Sequence, residues 1–166
     1  MKYLVFIIFI FFNLNSIAYS NNIVYIDMNY ILSNSNYGKS IFNELENINK
    51  TNIKELETKE KILKDLEKKI TNQKNILSKE DLEKKINDLK KKIVVFNKNK
   101  DELSKEFNVY KNKQITDFMK NIEPLVSGYI KDNSINIVLD KKNVIMGNKD
   151  QDITFKILEI VDNNIE

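Results

Sequence analysis

Histidine, cysteine and tryptophan are missing from the 166 residues, proline occurs once and glycine three times. Without histidine the chain lacks the side chain best suited to moving protons near neutral pH. Without cysteine it has no thiol nucleophile, no disulfide and no thiolate metal ligand. The glycines stand singly at 38, 128 and 147, so no glycine-rich phosphate loop can form. Carboxylates are plentiful, but they are scattered among lysines on what read as helix faces. A site built from carboxylates alone has nothing in the spacing to point to it. The chain therefore reads as a non-enzyme with no cofactor and no metal. The lack of cysteine is compatible with an oxidising compartment without establishing one.

The scarcity of helix breakers has a location. From Lys39 to about Asn121 there is neither proline nor glycine, and the run is charged and striped with Leu and Ile. Phe42, Leu45, Leu56, Leu63, Leu66, Ile70 and Leu77 fall on a and d positions of heptads, with Ile41, Ile48, Ile62 and Ile76 beside them at g. A second stripe, Leu82, Ile86, Leu89, Ile93, Phe96, Leu103, Phe107 and Tyr110, skips one place at Lys100 and is out of phase with the first. In one unbroken helix the stripe would swing roughly 150° round the axis. Between the stripes lie a polar run, Thr71–Asn75, and a capping-box-like Ser78-Lys79-Glu80-Asp81. The pattern predicts a helical hairpin over 41–121 with its tip near 75–78, and makes Phe96, Phe107, Tyr110 and Phe118 seam residues.

The flanks are shorter elements. Residues 1–20 read as a secretory signal: Lys2, then ten apolar residues from Tyr3 to Phe12, then Ala18-Tyr19-Ser20 as a small-x-small cleavage site. Ten residues are too few to span a hydrocarbon core of about 30 Å. Cleavage would remove one lysine and lower the formal net charge from +3 to +2. Next come a strand at Ile23–Ile26, a brief helix over Met28–Leu32 capped by Asp27, and a turn-rich link from Ser33 to Gly38. Beyond the hairpin, the second helix should kink or restart at Pro124 and end at Asp132-Asn133-Ser134. Two strands follow, Ile135–Leu139 and Val144–Met146, with a turn at Asp140–Asn143, then a final helix capped by Asp152 with its face at Ile153, Ile157, Leu158 and Val161. Residues 21–40 and 122–166 thus form a β-containing body of 65 residues. That is marginal on burial alone, so the body should oligomerise, with the subunit number left open.

Several segments resemble a known family. Ile23-Val24-Tyr25-Ile26-Asp27, the Leu32-Ser33 turn and Gly38-Lys39 are similar to the opening of the Skp (OmpH) periplasmic chaperones. Leu77–Lys85, Ile122-x-Pro124, Ile137–Lys141 and Asp152-Ile153-Thr154 match further positions in order. Asparagines at heptad positions 49 and 52 depart from the pattern and put the rigidity of the first arm in question. The resemblance implies a mainly α fold with a small β body and a long coiled-coil hairpin arm, assembled as a jellyfish-like homotrimer. Its body would be made by Ile23, Val24, Tyr25, Ile26, Ile137, Val138, Leu139, Val144, Ile145 and Met146. It also implies an ATP-independent holdase in the periplasm that shelters unfolded outer-membrane β-barrel proteins between its arms.

The charge pattern fits that task. Between Lys59 and Lys92 twelve lysines face seven carboxylates. Lys59, Lys61, Lys64, Lys68, Lys69, Lys74, Lys84, Lys85, Lys90, Lys91 and Lys92 form a candidate basic arm surface for clients or anionic lipid; the plainer reading is a solvated helix face. Nucleic acid is not an expected partner, because carboxylates interleave and the chain is exported. Two other readings stand: a structural adaptor docking by its tip, which the polar tip residues disfavour, and a binder of lipopolysaccharide or an anionic membrane surface.

Overall fold

The computed structural model describes residues 22–165; the expected signal segment lies outside them. Elements run in the order β1 (Ile23–Ile26), α1 (Met28–Asn34), α2 (Asn36–Gln73), α3 (Lys79–Asp132), β2 (Ile137–Asp140), two single 3-10 turns (Lys141–Asn143 and Lys149–Gln151) and α4 (Thr154–Asn164). β1 and β2 pair in parallel, with Ile23 opposite Ile137 and Ile26 opposite Asp140. Parallel strands need a crossover, and here the crossover is the entire helical arm.

Each boundary has a local cause. Asp27 caps α1, its carboxylate accepting from the Tyr30 amide at 2.9 Å. The expected link from Ser33 to Gly38 is a single residue instead. Ser35, fully buried, ends α1 by donating to the Ile31 carbonyl and caps α2 by accepting from the Gly38 amide at 3.0 Å. Gly38 sits where the two helices meet, and a Cβ there would lie 1.8 Å from the Leu32 carbonyl oxygen. Ser78 caps α3 by accepting from the Asp81 amide at 3.1 Å, with Glu80 and Asp81 favourable at the positive end of the helix dipole. Rather than restarting at Pro124, α3 runs through it as one element of 54 residues, about 80 Å at 1.5 Å per residue. Pro124 is exposed, so the Lys120 carbonyl left without a donor can turn to water. The helix ends where Ser134 takes a positive φ of 50°.

Two further expectations are corrected. Val144–Met146 is not a strand: the residues after β2 turn into a 3-10 helix tied by Asp140 to the Lys142 amide. Val144 ends that turn, and Ile145 and Met146 stand 97% and 90% exposed. Once Asp140 draws the chain into that turn, the apolar triplet does not return along the open edge of β2, and three residues are too few to hold as an unpaired strand. Secondly, α4 begins at Thr154, with Ile153 at the cap position and no side-chain cap bond there. Asp152 accepts from the Thr154 amide at 3.0 Å from one residue further back.

The core is at the root of the arm. Val24 and Ile26 from the sheet, Ile31 and Leu32 from α1, Ile41 and Leu45 from α2, Phe118 and Ile122 from α3, Ile135, and Ile153, Ile157 and Val161 around α4 form one buried cluster. Phe118 stacks on Tyr37 with ring centroids 5.4 Å apart. Full burial of side chains this size contributes about 1.5–3 kcal/mol each. Buried Thr154 ties three elements together, its hydroxyl accepting from the Asp27 amide at 2.9 Å.

Candidate functional site

Above this root the arm changes character. The seam of α2 begins at Ile41, Leu45 and Ile48, so near the body it uses g and d positions while Phe42, expected at a, is exposed. It moves to a and d from Leu56 onward. In α3 the inward line runs Leu82, Lys85, Leu89, Phe96, Asn99, Leu103, Phe107 and Tyr110. Asn99, not Lys100, occupies the skipped place. Ile86 and Ile93 lie at its exposed edge. Within the arm only Ile70 is buried beyond Leu45.

Polar rungs cross the seam. Lys59 Nζ donates to Asn99 Oδ1 at 2.7 Å and to Glu55 at 2.6 Å, and Lys85 Nζ donates to Gln73 Oε1 at 2.8 Å. Nearer the root, Tyr110 donates to Glu44 at 2.5 Å and Asn121 to the Tyr37 hydroxyl at 2.9 Å. The hydrogen bond to Glu44 raises the pKa of Tyr110 above its ordinary value, because it holds the phenol in its protonated form. Polar groups at seam positions fix register at some cost in stability.

The lysines expected to act as one basic surface therefore divide. Lys59 and Lys85 lie in the seam. Lys64 pairs with Glu60 at 2.7 Å, and its pKa is raised by that hydrogen bond and charge. Lys61, Lys68, Lys69, Lys74, Lys84, Lys90, Lys91 and Lys92 are exposed, and none has a carboxylate in ion-pair reach among the described residues. Near the tip they form a field of unpaired positive charge.

Exposed apolar groups stand among these lysines, and two of them, Val94 and Val95, belong to neither stripe. Val94 and Val95 are 67% exposed and Ile62 59%. Ile62, Leu63, Val95 and Phe96 line a hollow of about 190 Å³ across the hairpin, bordered by Lys59, Lys92 and Asn99. The signal was in the run Ile93-Val94-Val95-Phe96: four consecutive apolar residues cannot all face a seam with 4-3 spacing. At the tip Ile76 is 84% exposed, so the tip carries an apolar knob among its polar residues, contrary to the expectation of a wholly polar one.

On the body, β1 lies between β2 and a bridge from Tyr25 to Asp152, so β2 is the sheet edge. Alternation turns Val24, Ile26 and Val138 to the core and Tyr25, Ile137 and Leu139 to the opposite face. The loop after β2 touches that face at Tyr25, where a Cβ on Gly147 would come within 2.7 Å of the ring and the Tyr25 hydroxyl donates to the Asn148 carbonyl at 3.1 Å. Ile137 and Leu139 remain exposed, as do Ile145 and Met146. Of the expected body residues, Ile23–Ile26 and Ile137–Leu139 share one sheet, and Val144–Met146 lie in the loop beside it.

Among the described residues no group of three or more acidic side chains is placed to hold a metal ion, and no helix is long and apolar enough to cross a membrane. What the fold defines is a class: a small body carrying a long helical arm, whose surfaces offer apolar and basic contacts. The family described as Outer membrane protein (OmpH-like) matches residues 22–161. The chain belongs to that family, which is in general non-enzymatic and suggests a chaperone role. Among solved structures it is similar to a protein of Caulobacter crescentus CB15, described as a candidate outer membrane chaperone (OmpH-like) and determined at 2.83 Å. The two share 18% identity over 87% of this chain and 85% of that one, with a TM-score of 0.82, which shows a common fold. A comparison with curated proteins finds no match.

Proposed function

We propose that this protein is an ATP-independent periplasmic holdase for unfolded outer-membrane β-barrel proteins. In this reading it is exported by residues 1–20, cleaved before Asn21, and works as a homotrimer whose arms enclose the client. The observation that carries it is the arm surface: exposed Ile and Val side chains set among unpaired lysines, on a fold of the OmpH-like family. A surface of this kind engages an unfolded, acidic, partly apolar chain by many weak contacts, and several arms acting together supply avidity. The uncovered sheet face, with Ile137 and Leu139, is the natural subunit contact, and Ile145 and Met146 extend it.

The test is dilution of a urea-unfolded outer-membrane barrel protein with and without the purified mature chain, followed by light scattering. Unchanged aggregation at excess chaperone would refute the reading. N-terminal sequencing of envelope-extracted protein that found Met1 would refute the export step. A second reading, docking of the tip on a partner, is favoured by exposed Ile76; loss of co-purifying partner in Ile76→Ser with full holdase activity would select it. Lipopolysaccharide or an anionic membrane surface is a further candidate partner for the tip lysines, by charge.

A further inference from the structure

We propose that the mid-arm hollow of Ile62, Leu63, Val95 and Phe96 seats one bulky apolar side chain of an unfolded polypeptide, and that Lys92 receives a carboxylate one or two residues away from it. This rests on the holdase reading and deepens it, turning part of a diffuse surface into a discrete anchor on each arm.

Size selects the occupant. The hollow measures about 190 Å³. A cavity of about 150 Å³ lined by aliphatic and aromatic groups holds benzene, whereas sites for drug-sized ligands and cofactors begin near about 300 Å³. One Phe, Leu or Ile side chain fits, and a long acyl chain would overrun the space. Ile62 and Val95, both more than half exposed, give the hollow an apolar rim left open by the described residues.

Charge selects the flanking residue. Of the two border lysines, Lys59 is already engaged by Glu55 and Asn99. Lys92 has no carboxylate within ion-pair reach among the described residues. It also borders the next cleft toward the tip, where Lys69 and Lys85 stand with Asp88 as the one opposing charge. A side chain in the hollow thus has a free cation on its tip side, and an acidic neighbour would be held there while a basic one would be repelled.

The experiment uses the whole mature chain with methyl-labelled Ile, Leu and Val, titrated with three short unstructured peptides alike except for a central Phe-Asp, Phe-Lys or Ser-Asp. The Phe-Asp peptide should shift the methyls of Ile62, Leu63 and Val95 and bind more tightly than the other two. Val95→Ser should weaken it about fivefold, and Lys92→Gln about threefold while the Phe-Lys peptide, relieved of repulsion, binds more tightly. Shifts spread evenly along the arms, or unchanged binding in both variants, would overturn the proposal. So would shifts at these methyls produced by vesicles of anionic phospholipid but by no peptide, or by raising the protein concentration alone. Barrel-protein aggregation measured in parallel separates the two readings. Protection without localised shifts refutes the hollow and spares the holdase; localised shifts without protection do the reverse.

Discussion

Two glycines in this protein should respond to the same substitution with opposite signs. Both lie in helices, Gly38 in the first turn of α2 and Gly128 inside α3. Replacing a helical glycine by alanine normally stabilises by about 0.5–1 kcal/mol, because alanine loses less backbone freedom on folding. At Gly128 the added methyl meets nothing within 4 Å, so that full gain is expected. At Gly38 it would stand 1.8 Å from the Leu32 carbonyl oxygen, 2.7 Å from its carbon and 3.0 Å from Ser35 Oγ. Backbone oxygen cannot swing away as a side chain would. Restoring even a 3.0 Å separation from the oxygen moves α1 against α2 by more than 1 Å and disturbs the buried Ser35 cap. Overpacking costs about 1–3 kcal/mol, and a clash with backbone belongs at the upper end. After the propensity gain, Gly38→Ala should still lose about 1–2 kcal/mol. Urea melts of both variants at one fixed protein concentration, since assembly makes the midpoint concentration-dependent, should bracket the wild type. A Gly38→Ala midpoint at or above wild type would refute the account of the α1–α2 junction.

Asp152 gives a pH dependence. Burial pushes its carboxyl up, but the hydrogen bonds from Lys141 at 2.7 Å and the Thr154 amide outweigh this and hold it below its ordinary value. A lowered folded-state value means the ionised carboxylate stabilises the fold above the unfolded-state value near about 3.9, an advantage lost as pH falls through the folded value. Asp152→Asn should therefore lose about 1–2 kcal/mol at neutral pH, with the gap to wild type closing in acid; a gap constant from neutral to strongly acidic buffer would contradict it. On the body, Leu139→Asp should leave each subunit helical by circular dichroism and lower the mass by light scattering, whereas Val138→Asp, on the core face, should unfold the chain. Deleting 64–91 and joining Leu63 to Lys92 by a short turn should leave the number of subunits unchanged, since these two residues border the same hollow; dissociation would place the contacts in the arms. Changing Lys68, Lys69, Lys74, Lys84, Lys90 and Lys91 together to Gln should slow capture of an acidic client at low salt, with the difference shrinking as the Debye length falls toward about 8 Å. Any one of these changes alone should have little effect, because a single exposed charge contributes at most about 1 kcal/mol.

What could be read in the sequence depended on whether the signal was local. The hairpin break was legible because the phase slip between Leu77 and Leu82 and the Ser78–Asp81 spacing both lie in one short segment, and the capping bond forms there. Asp27 announced α1 for the same reason. The third strand failed because strand pairing is not local. Val144–Met146 has strand-like residues, but β1 is already bridged on both sides, and the turn that Asp140 starts after β2 does not bring the triplet back along the open edge of β2. Seam membership failed more gently. Heptad counting placed Phe42 and Lys100 in line, but the root of the arm must also pack on α1 and α4. That demand rotates Ile41 and Leu45 inward and turns Phe42 out. The exposed pair Val94 and Val95 was visible as a violation of the pattern and was overlooked because the stripe was traced through the residues that obeyed it.

The distribution of burial along the arm links the fold to its proposed use. Ile41, Leu45, Phe118 and Ile122 lock the root into the core, so the direction in which the arm leaves the body is set by close packing and should resist load. Between Leu45 and Ile70 the seam residues of α2 are partly rather than fully buried, and the cross-arm bonds there involve Lys59 and Asn99, groups that water can satisfy when they part. Opening this stretch exposes less apolar surface than opening the root would, where Ile41, Leu45, Phe118 and Ile122 are buried. Long helices depend on tertiary partners for most of their stability, so the middle of the arm belongs to the low-stability end of the molecule while its root does not. Clients of different bulk could then be accommodated by parting the middle of the arms without disturbing the contacts that hold the body together. In the proposed holdase the partly wet seam, which is a weakness if stability is the only measure, would let one rigid base serve chains of no fixed shape.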